Sequence, residues 1–569
     1  MSHRKCRDVF ISDIALNGRV LANPNCRLIP EQQGIINLLT APVYDYFADN
    51  FEPIVAVNPK DPNNIIAADF VVNLRRETPV FYSLDGGKTW QWVNVPANQC
   101  MQTIPEGAIN DFGSSGDPWV SFGKDGDAYF SIGTSNRLFR PNGTVLRILG
   151  GAVLIFKSTD KGQSWNAPVS LAFNPIQFPD KPAIFASPLI TDLIHVVYHE
   201  IGLISTTYQR SVDGGNLWLS PIVLTYDDVD YPKVFIWGAN VATLPDKTVI
   251  VSVRNSIFDT ALDIGFGPGQ NEAIYINRSF DNGASFGPTI VAIQSLTQTI
   301  AWDPVTEYII HDTSIWHDID VNKCNGYLYI IAQDSTFYTG PSLNDGFEFL
   351  GAGTIIIMSK DGGVTWSKKI PINPTSTDKQ AYMATVTVLD NGIVCVPYYT
   401  DRNQNYEGDD GTGPLNTDVF ISLFDKNLNF IGEKRVTENS FDMRKFNAEI
   451  FIGYPAFAVG DYLKCDSICN DVLIPLIIGN QDQVGTFPRP PTVPVHTIIR
   501  DSQYLKFARV HIGKDDFSTC IRHNQLVQLP KKKNVVERKI LSEKNSDELI
   551  EMRGNRLSLK YRIIQNNGK

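Results

Sequence analysis

Residues 82–90 read YSLDGGKTW. A strand-like run leads into two glycines, and a tryptophan closes the turn. Ser83 and Asp85 carry oxygens that can bond backbone N–H groups inside a tight turn. Gly87 permits a positive φ. Trp90 is placed to fold back on the turn that it ends. The stretch therefore predicts a self-braced turn between two antiparallel strands.

The chain then repeats it. Ser-x-Asp-x-Gly-x-x-Trp returns as Ser158, Asp160, Gly162 and Trp165. It recurs as Ser211, Asp213, Gly215 and Trp218, and again as Ser359, Asp361, Gly363 and Trp366. Ser279, Asp281 and Gly283 carry it with Phe286 in place of the tryptophan. A worn sixth copy, LFDKNLNF, has Asp425, Asn427 at the glycine position and Phe430. Asparagine is the best substitute for glycine at positive φ. Intervals between the aspartates run from 53 residues (Asp160 to Asp213) to 80 (Asp281 to Asp361). Such intervals suit four strands and their loops rather than a short solenoid unit. A carboxylate fixed between a strand and a glycine turn reads as structural, not catalytic.

These turns resemble the Asp-boxes, also called BNR repeats, of the sialidase-like β-propeller superfamily. Five good copies and one worn copy span residues 83–430. The resemblance implies an all-β propeller of four-stranded blades. Each box would join the third and fourth strands of a blade, on the rim away from the central pocket.

Strand-like text surrounds each box in a constant order and accounts for six blades over residues 52–437. YPAFAVGD, DVLIPLIIGN and QYLKFARVHI add three strands without a box. A strand from the N-terminal segment, with GIINLLT (34–40) as the candidate, completes a seventh blade and leaves only short, protected edges. Seven blades is the preferred count and six the alternative. The chain thus divides into an N-terminal segment (1–45), the propeller (46–514) and a short basic C-terminal extension (515–569), whose lysine-rich text has room for one short helix.

With 569 residues, 43% of them hydrophobic, the chain can bury a large core. A net charge of −11 argues against binding nucleic acid or an anionic membrane. No apolar run is long enough to span a bilayer, and the first residues lack the apolar core of a secretory signal. Eight cysteines in this length are not a disulfide scaffold. Cys465 and Cys469 in CDSIC could bridge a loop, but a pair of free, partly buried thiols is the preferred reading.

In a propeller, ligands sit at one mouth of the channel. Loops entering each first strand and leaving each second strand line that mouth. Several second strands end in arginine: Arg76, Arg137, Arg254 and Arg402. Converging guanidinium groups suit a carboxylate, and the resemblance implies an arginine clamp of that kind in sialidases. Glu200 or Asp117 are candidates for proton transfer, and Tyr399 or Tyr231 for a phenol. First strands begin near Asp117 and Trp119, and near Asp180 and Lys181. The sialidase signature Phe/Tyr-Arg-Ile-Pro is missing: residues 26–30, CRLIP, carry an extra residue between arginine and proline. This argues against turnover of sialosides.

No cofactor is expected. Calcium is the one cation that the text leaves open, at the acidic loop EGDDGTGPLNTD (407–418), while DIDVNKCNG (318–326) reads as a hairpin. Three functions follow. The first is a recognition module taking a glycan or protein partner at the mouth. The second is a glycoside hydrolase or lyase acting on an acidic sugar. The third is a structural component of a cell, spore or virion surface.

Overall fold

The computed structural model describes residues 9–13, 49–72, 79–95, 114–139, 145–174, 179–200, 205–225, 234–257, 272–297, 300–310, 316–344, 348–446, 456–457, 459–479, 503–512, 549–550, 559–560 and 563–565. Seven sheets, antiparallel but for one outer pair in the last, stand as blades around one axis. Blade 1 is built from Asp49–Val57, Ile65–Val72, Pro79–Ser83 and Gln91–Asn94. Blades 2, 3 and 4 repeat the order with first strands Ser114–Phe122, Pro179–Ala186 and Val234–Thr243. Blade 5 starts at His317–Val321. In blade 6 the inner strand is split into Ala381–Tyr382 and Thr387–Val388, both paired with Val394–Thr400. Helix among the described residues is limited to two 3-10 turns. None is long and apolar enough to cross a membrane.

The N-terminus closes the ring, but with a different strand from the one expected. Val9–Asp13 pairs antiparallel with Gln503–His511, Phe10 opposite Arg509. GIINLLT (34–40) lies outside the described residues. The inner strand of blade 7 also differs. Ala456–Phe457, in YPAFAVGD, joins a side sheet with Ile309–Ile310. The blade begins instead at Asp466–Ile468, within CDSIC. Cys465 there is a buried free thiol. Of the C-terminal extension, Leu549–Ile550 and Leu559–Lys560 form a short ladder and Ile563–Gln565 lies parallel to Val9–Asp13. The described pieces are thus strands, where the sequence left room for a helix.

The boxes bind neighbouring blades together. In each of the five good copies the serine Oγ donates to the aspartate and accepts from the glycine N–H, at 2.7–2.9 Å. The aspartate accepts backbone N–H groups further on, as Asp85 does from Lys88 and Thr89. Bare glycine backbone then lies on the preceding blade. Gly87 rests on Phe507 of blade 7, Gly162 on Ile66 of blade 1, Gly215 on Tyr129 of blade 2, Gly283 on Tyr208 of blade 3 and Gly363 on Ile276 of blade 4.

The closing aromatics do not all behave alike. Trp90, Trp218 and Trp366 fold back, and each indole N–H donates to the carbonyl of its own box glycine. The distances are 3.0 Å to Gly87, 3.2 Å to Gly215 and 3.2 Å to Gly363. Trp165 departs from this pattern. Its Nε1 has no hydrogen-bond partner, and its ring packs edge-on against Phe130 of the same blade at 6.0 Å between centroids. Trp165, Trp218 and Trp366 are only half-buried, whereas Trp90 is buried against Phe507. The sixth copy departs further. Leu428, not Asn427, takes the positive φ, at 62°. Leu423 stands where the serine would be, so no hydroxyl fixes the turn. Asp425 alone caps Asn427 and Asn429.

Candidate functional site

Strand direction alternates within a blade, so every box lies at the end opposite to where its first strand enters. Gly363 and the indoles of Trp165, Trp218 and Trp366 belong to that far end with their aspartates. At the entry end the first strands of blades 1 to 4 share a defect. The ladder shifts register between Phe51 and Ile54, Gly116 and Trp119, Asp180 and Ala183, and Trp237 and Ala239. Each shift is a β-bulge, a device that bends a strand and re-aims a side chain. The bulged residues have positive φ: Glu52 at 54°, Asp117 at 56°, Lys181 at 51° and Gly238 at 65°. Met383 in blade 6 and Gly460 in blade 7 repeat it, at 49° and 103°. For a residue with a Cβ this conformation costs about 1–2 kcal/mol. In blades 1 to 3 a proline follows, which ordinarily favours extended backbone before it.

The strained charges meet. Lys181 Nζ donates to Glu52 Oε1 at 3.0 Å, to Asp117 Oδ1 at 2.8 Å and to Asp461 Oδ2. One ammonium thus joins blades 1, 2, 3 and 7, and all four side chains are largely buried. Asp117 is also hydrogen-bonded to Asp180, which faces His199 Nε2 at 3.5 Å. The carboxyl oxygens of Glu52, Asp117 and Asp461 lie within 4.8 Å of one another, a spacing that could hold a metal ion. The cation they bracket here is Lys181.

Below the ammonium the axis is packed with rings. Tyr462 lies 5.5 Å beneath Lys181 Nζ and donates to Pro118 O at 2.7 Å. Trp119 and Trp316 contact it at 5.4 and 4.9 Å between centroids. A cavity of ≈ 10 Å³ beside Asp461, Tyr462 and Trp316 has room for about one water.

Burial dominates the electrostatics. It raises the pKa of Glu52 well above its ordinary value and that of Asp117 as well, against the opposing pull of Lys181. Burial also disfavours the charged form of Lys181, but the surrounding carboxylates win and raise its pKa. Asp180 is buried as well, yet its bond to His199 and the Lys181 charge hold it low. The neighbouring acids Asp117 and Asp180 are therefore pushed apart, Asp117 upward and Asp180 downward.

Three carboxyl oxygens of blade 1 have nothing to accept. Glu52 Oε2 has no hydrogen-bond partner. Neither oxygen of Asp69 has one, although Asp69 is 0% exposed. Asp69 lies across the ladder from the Glu52–Pro53 bulge, between the pairs Phe51↔Phe70 and Ile54↔Ala68. Burial drives its pKa well up.

The arginine clamp read from the sequence does not form from the two arginines whose side chains are described. Arg254 is wholly buried and bonded to Glu272, with Nη2 at 2.6 Å from Oε2, and to the carbonyl of Trp316. Arg402 pairs with Glu433, donates to Tyr398 at 3.0 Å and stacks on Phe420. Each is thus neutralised within its own blade. The side chains of Arg76, Arg137, Glu200 and Tyr231 lie outside the described residues. Tyr399 is buried in the seam with blade 7, where its hydroxyl donates to Ile477 O and accepts from Ile477 N–H. Burial raises its pKa, which disfavours a nucleophilic phenolate. Asp117 is the candidate that the structure brings into the charged cluster.

In the acidic loop, Asp409 is bound by Arg444 and Gln404, and Asp410 caps Thr412. Asp318, in the 318–326 hairpin, pairs with Lys464. Sequence reasoning missed Glu52, Asp69 and Asp461. A signal was present for Glu52: a charged residue followed by proline recurs in three first strands, at Glu52-Pro53, Asp117-Pro118 and Lys181-Pro182.

The chain is a seven-bladed Asp-box β-propeller. The BNR/Asp-box repeat model matches residues 81–91, the stretch from which the fold was read. No curated protein matches the chain in sequence. Among solved structures it is similar to a protein of unknown function from Dyadobacter fermentans, at 12% identity over 89% of this chain and 99% of that one, with a TM-score of 0.41. It is also similar to an α-L-arabinanase of Penicillium chrysogenum complexed with arabinobiose, at 15% identity over 67% and 94%, with a TM-score of 0.38. The NanB sialidase of Streptococcus pneumoniae matches at 12% identity over 61% and 65%, with a TM-score of 0.39.

Proposed function

We propose that this propeller is a recognition module that takes a glycan or protein ligand at the mouth framed by blades 7, 1, 2 and 3, without sialidase turnover. One observation carries the reading. Three consecutive blades hold a charged residue in left-handed backbone at the same bulge, and the three side chains converge. Backbone strain of this kind persists where the surrounding fold enforces it, and it clusters at ligand sites. The commitment of Arg254 and Arg402 to Glu272 and Glu433 weighs against a sialic acid clamp. Two measurements test the proposal. Glycan-array capture should be lost in Asp461→Ala with the melting transition retained. A fluorogenic sialoside should not be hydrolysed. Hydrolysis of the sialoside that is abolished by Arg254→Ala would overturn the non-catalytic reading.

A second reading rests on the acid pair. Two adjacent carboxyls with pKa values driven apart are the usual arrangement for an acid and a base. Asp117 would then protonate a leaving group in glycoside hydrolysis. Under that reading aryl glycosides are turned over, and Asp117→Asn removes the activity while binding persists.

A further inference from the structure

Of the groups left unsatisfied around this mouth, the indole N–H of Trp316 is a donor and the others are carboxyl oxygens. Glu52 Oε2 and both oxygens of Asp69 are acceptors, and both side chains are more than nine-tenths buried. Leaving a buried acceptor unpaired costs about 1–3 kcal/mol, more when it is charged. Native proteins rarely carry such a group without a reason. Glu52 Oε1 lies on Lys181 Nζ, so the unpaired Oε2 belongs to the same cage. The backbone of Asp69 stands across the ladder from the same bulge, outside the carboxyls gathered on Lys181. Asp69 lies on the face of its strand that also carries Ile65 and Ala67, which pack into the core shared with blade 7.

Four carboxyl groups, those of Glu52, Asp117, Asp180 and Asp461, are gathered on Lys181 and His199, so acidic groups outnumber basic ones. Tyr462 offers its ring face to a cation at this point and already does so to Lys181. A ligand carboxylate would meet acceptors and repulsion. A ligand ammonium would supply three donors and a positive charge.

We propose that the seam between blades 7 and 1 binds a ligand bearing a protonated amine, received by Glu52 and Asp461 beside the resident ammonium of Lys181. This deepens the mouth-recognition reading and rests on it. It also reverses the acidic ligand that the second-strand arginines suggested.

The test is isothermal titration of the intact protein at neutral pH with three sugars of one shape: glucosamine, N-acetylglucosamine and glucuronate. Glucosamine should bind at least about tenfold more tightly than N-acetylglucosamine, equivalent to about 1.4 kcal/mol. Glucuronate should bind least. The preference should shrink in about 0.5 M salt as screening weakens the charge contact. Glu52→Gln and Asp461→Asn should each remove most of the amine preference. If a variant loses its cooperative melt, the amine-to-amide ratio of the unmodified protein decides. Equal binding of amine and amide, preference for glucuronate, or no binding of glucosamine overturns the proposal. Binding of the amide or the acid that is lost in Asp461→Asn would overturn the amine assignment alone and leave the mouth as the ligand site.

Discussion

Replacing Gly283 by alanine tests whether the boxes act as inter-blade joints. Gly283 has φ +83°, and an added Cβ would sit 1.8 Å from the hydroxyl of Tyr208 on blade 3. Tyr208 has little room to retreat. It is fully buried, bonded to His195 Nδ1 at 2.6 Å and packed edge-on against Phe286 at 4.8 Å. Alanine at positive φ costs about 1–2 kcal/mol, and forced overpacking about 1–3 kcal/mol more. Two other glycines separate these contributions. Gly215 has φ +90°, but its added Cβ would find Tyr129 at an ordinary 3.5 Å. Gly287 has neither a positive φ nor any atom closer than 3.8 Å. Unfolding entropy of about 2.1 cal/mol/K per residue makes a loss of about 3 kcal/mol worth only about 2–3 °C in a chain of this length. The three alanine variants should therefore be compared by melting in one plate. Gly287→Ala should be neutral, Gly215→Ala lowered by about 1 °C and Gly283→Ala by about 2–3 °C. A Gly283→Ala melt no lower than that of Gly215→Ala would refute the joint.

Three further perturbations probe the buried charges. Lys181→Met strands the carboxyls of Glu52, Asp117 and Asp461 and should destabilise the fold by about 3–5 kcal/mol at pH 8 in urea unfolding, less at pH 4, where the acids with raised pKa carry less charge; an equal loss at both pH values would deny the cage. Asp69 has a raised folded pKa, so its contribution is fully present below its unfolded pKa and is lost as pH rises through the folded value. Asp69→Asn should therefore match the parent at pH 4 and exceed it at pH 8, and a parent that is the more stable at pH 8 would count against this. Burial, with a smaller push from Arg210, lowers His195 to about 3, so its contribution is present above about pH 6.5 and is lost as pH falls toward 3. His195→Gln should flatten the acid side of the stability curve by up to about 1.4 kcal/mol per pH unit, and an unchanged slope would mean that His195 does not bury its neutral form.

The fold was legible because its joints are written locally. Serine, aspartate, glycine and an aromatic within eight residues specify a turn without help from the rest of the chain, so five boxes fixed five blades. What the motif leaves open is the aromatic's own bond: Trp165 has the same spacing as Trp218 and Trp366, yet only the latter two reach their glycine carbonyls. Blade 7 has no box, and its strand assignment slipped for that reason. YPAFAVGD alternates like an inner strand, yet only Ala456–Phe457 pairs, and in a side sheet. The site was harder to read. Arginines at strand ends look like ligand groups in sequence, but their partners Glu272 and Glu433 come from other strands of the same blade, and pairing across a sheet is invisible to a linear reading. The cage joins positions up to 409 residues apart, Glu52 to Asp461, and what unites them is a bulge geometry rather than a motif.

That geometry ties recognition to closure. The segment carrying Gly460 and Asp461 is laid against the first strand of blade 1, where Glu52 N–H donates to Val459 O at 3.3 Å and Lys464 N–H to Pro53 O at 3.1 Å. Gly460 has no room for a side chain there, since a Cβ would stand 2.4 Å from the Glu52 nitrogen. The seam where the two ends of the propeller meet is thus the seam where Glu52 and Asp461 share Lys181. A ligand cation drawing on those carboxylates would compete with the ammonium that spans blades 7, 1, 2 and 3, while relieving the Glu52 oxygen that is unpaired without it. Its net effect on stability is the difference between these two terms. The paired box glycines and backbone ladders hold the ring independently, so the cage can exchange partners without opening the propeller.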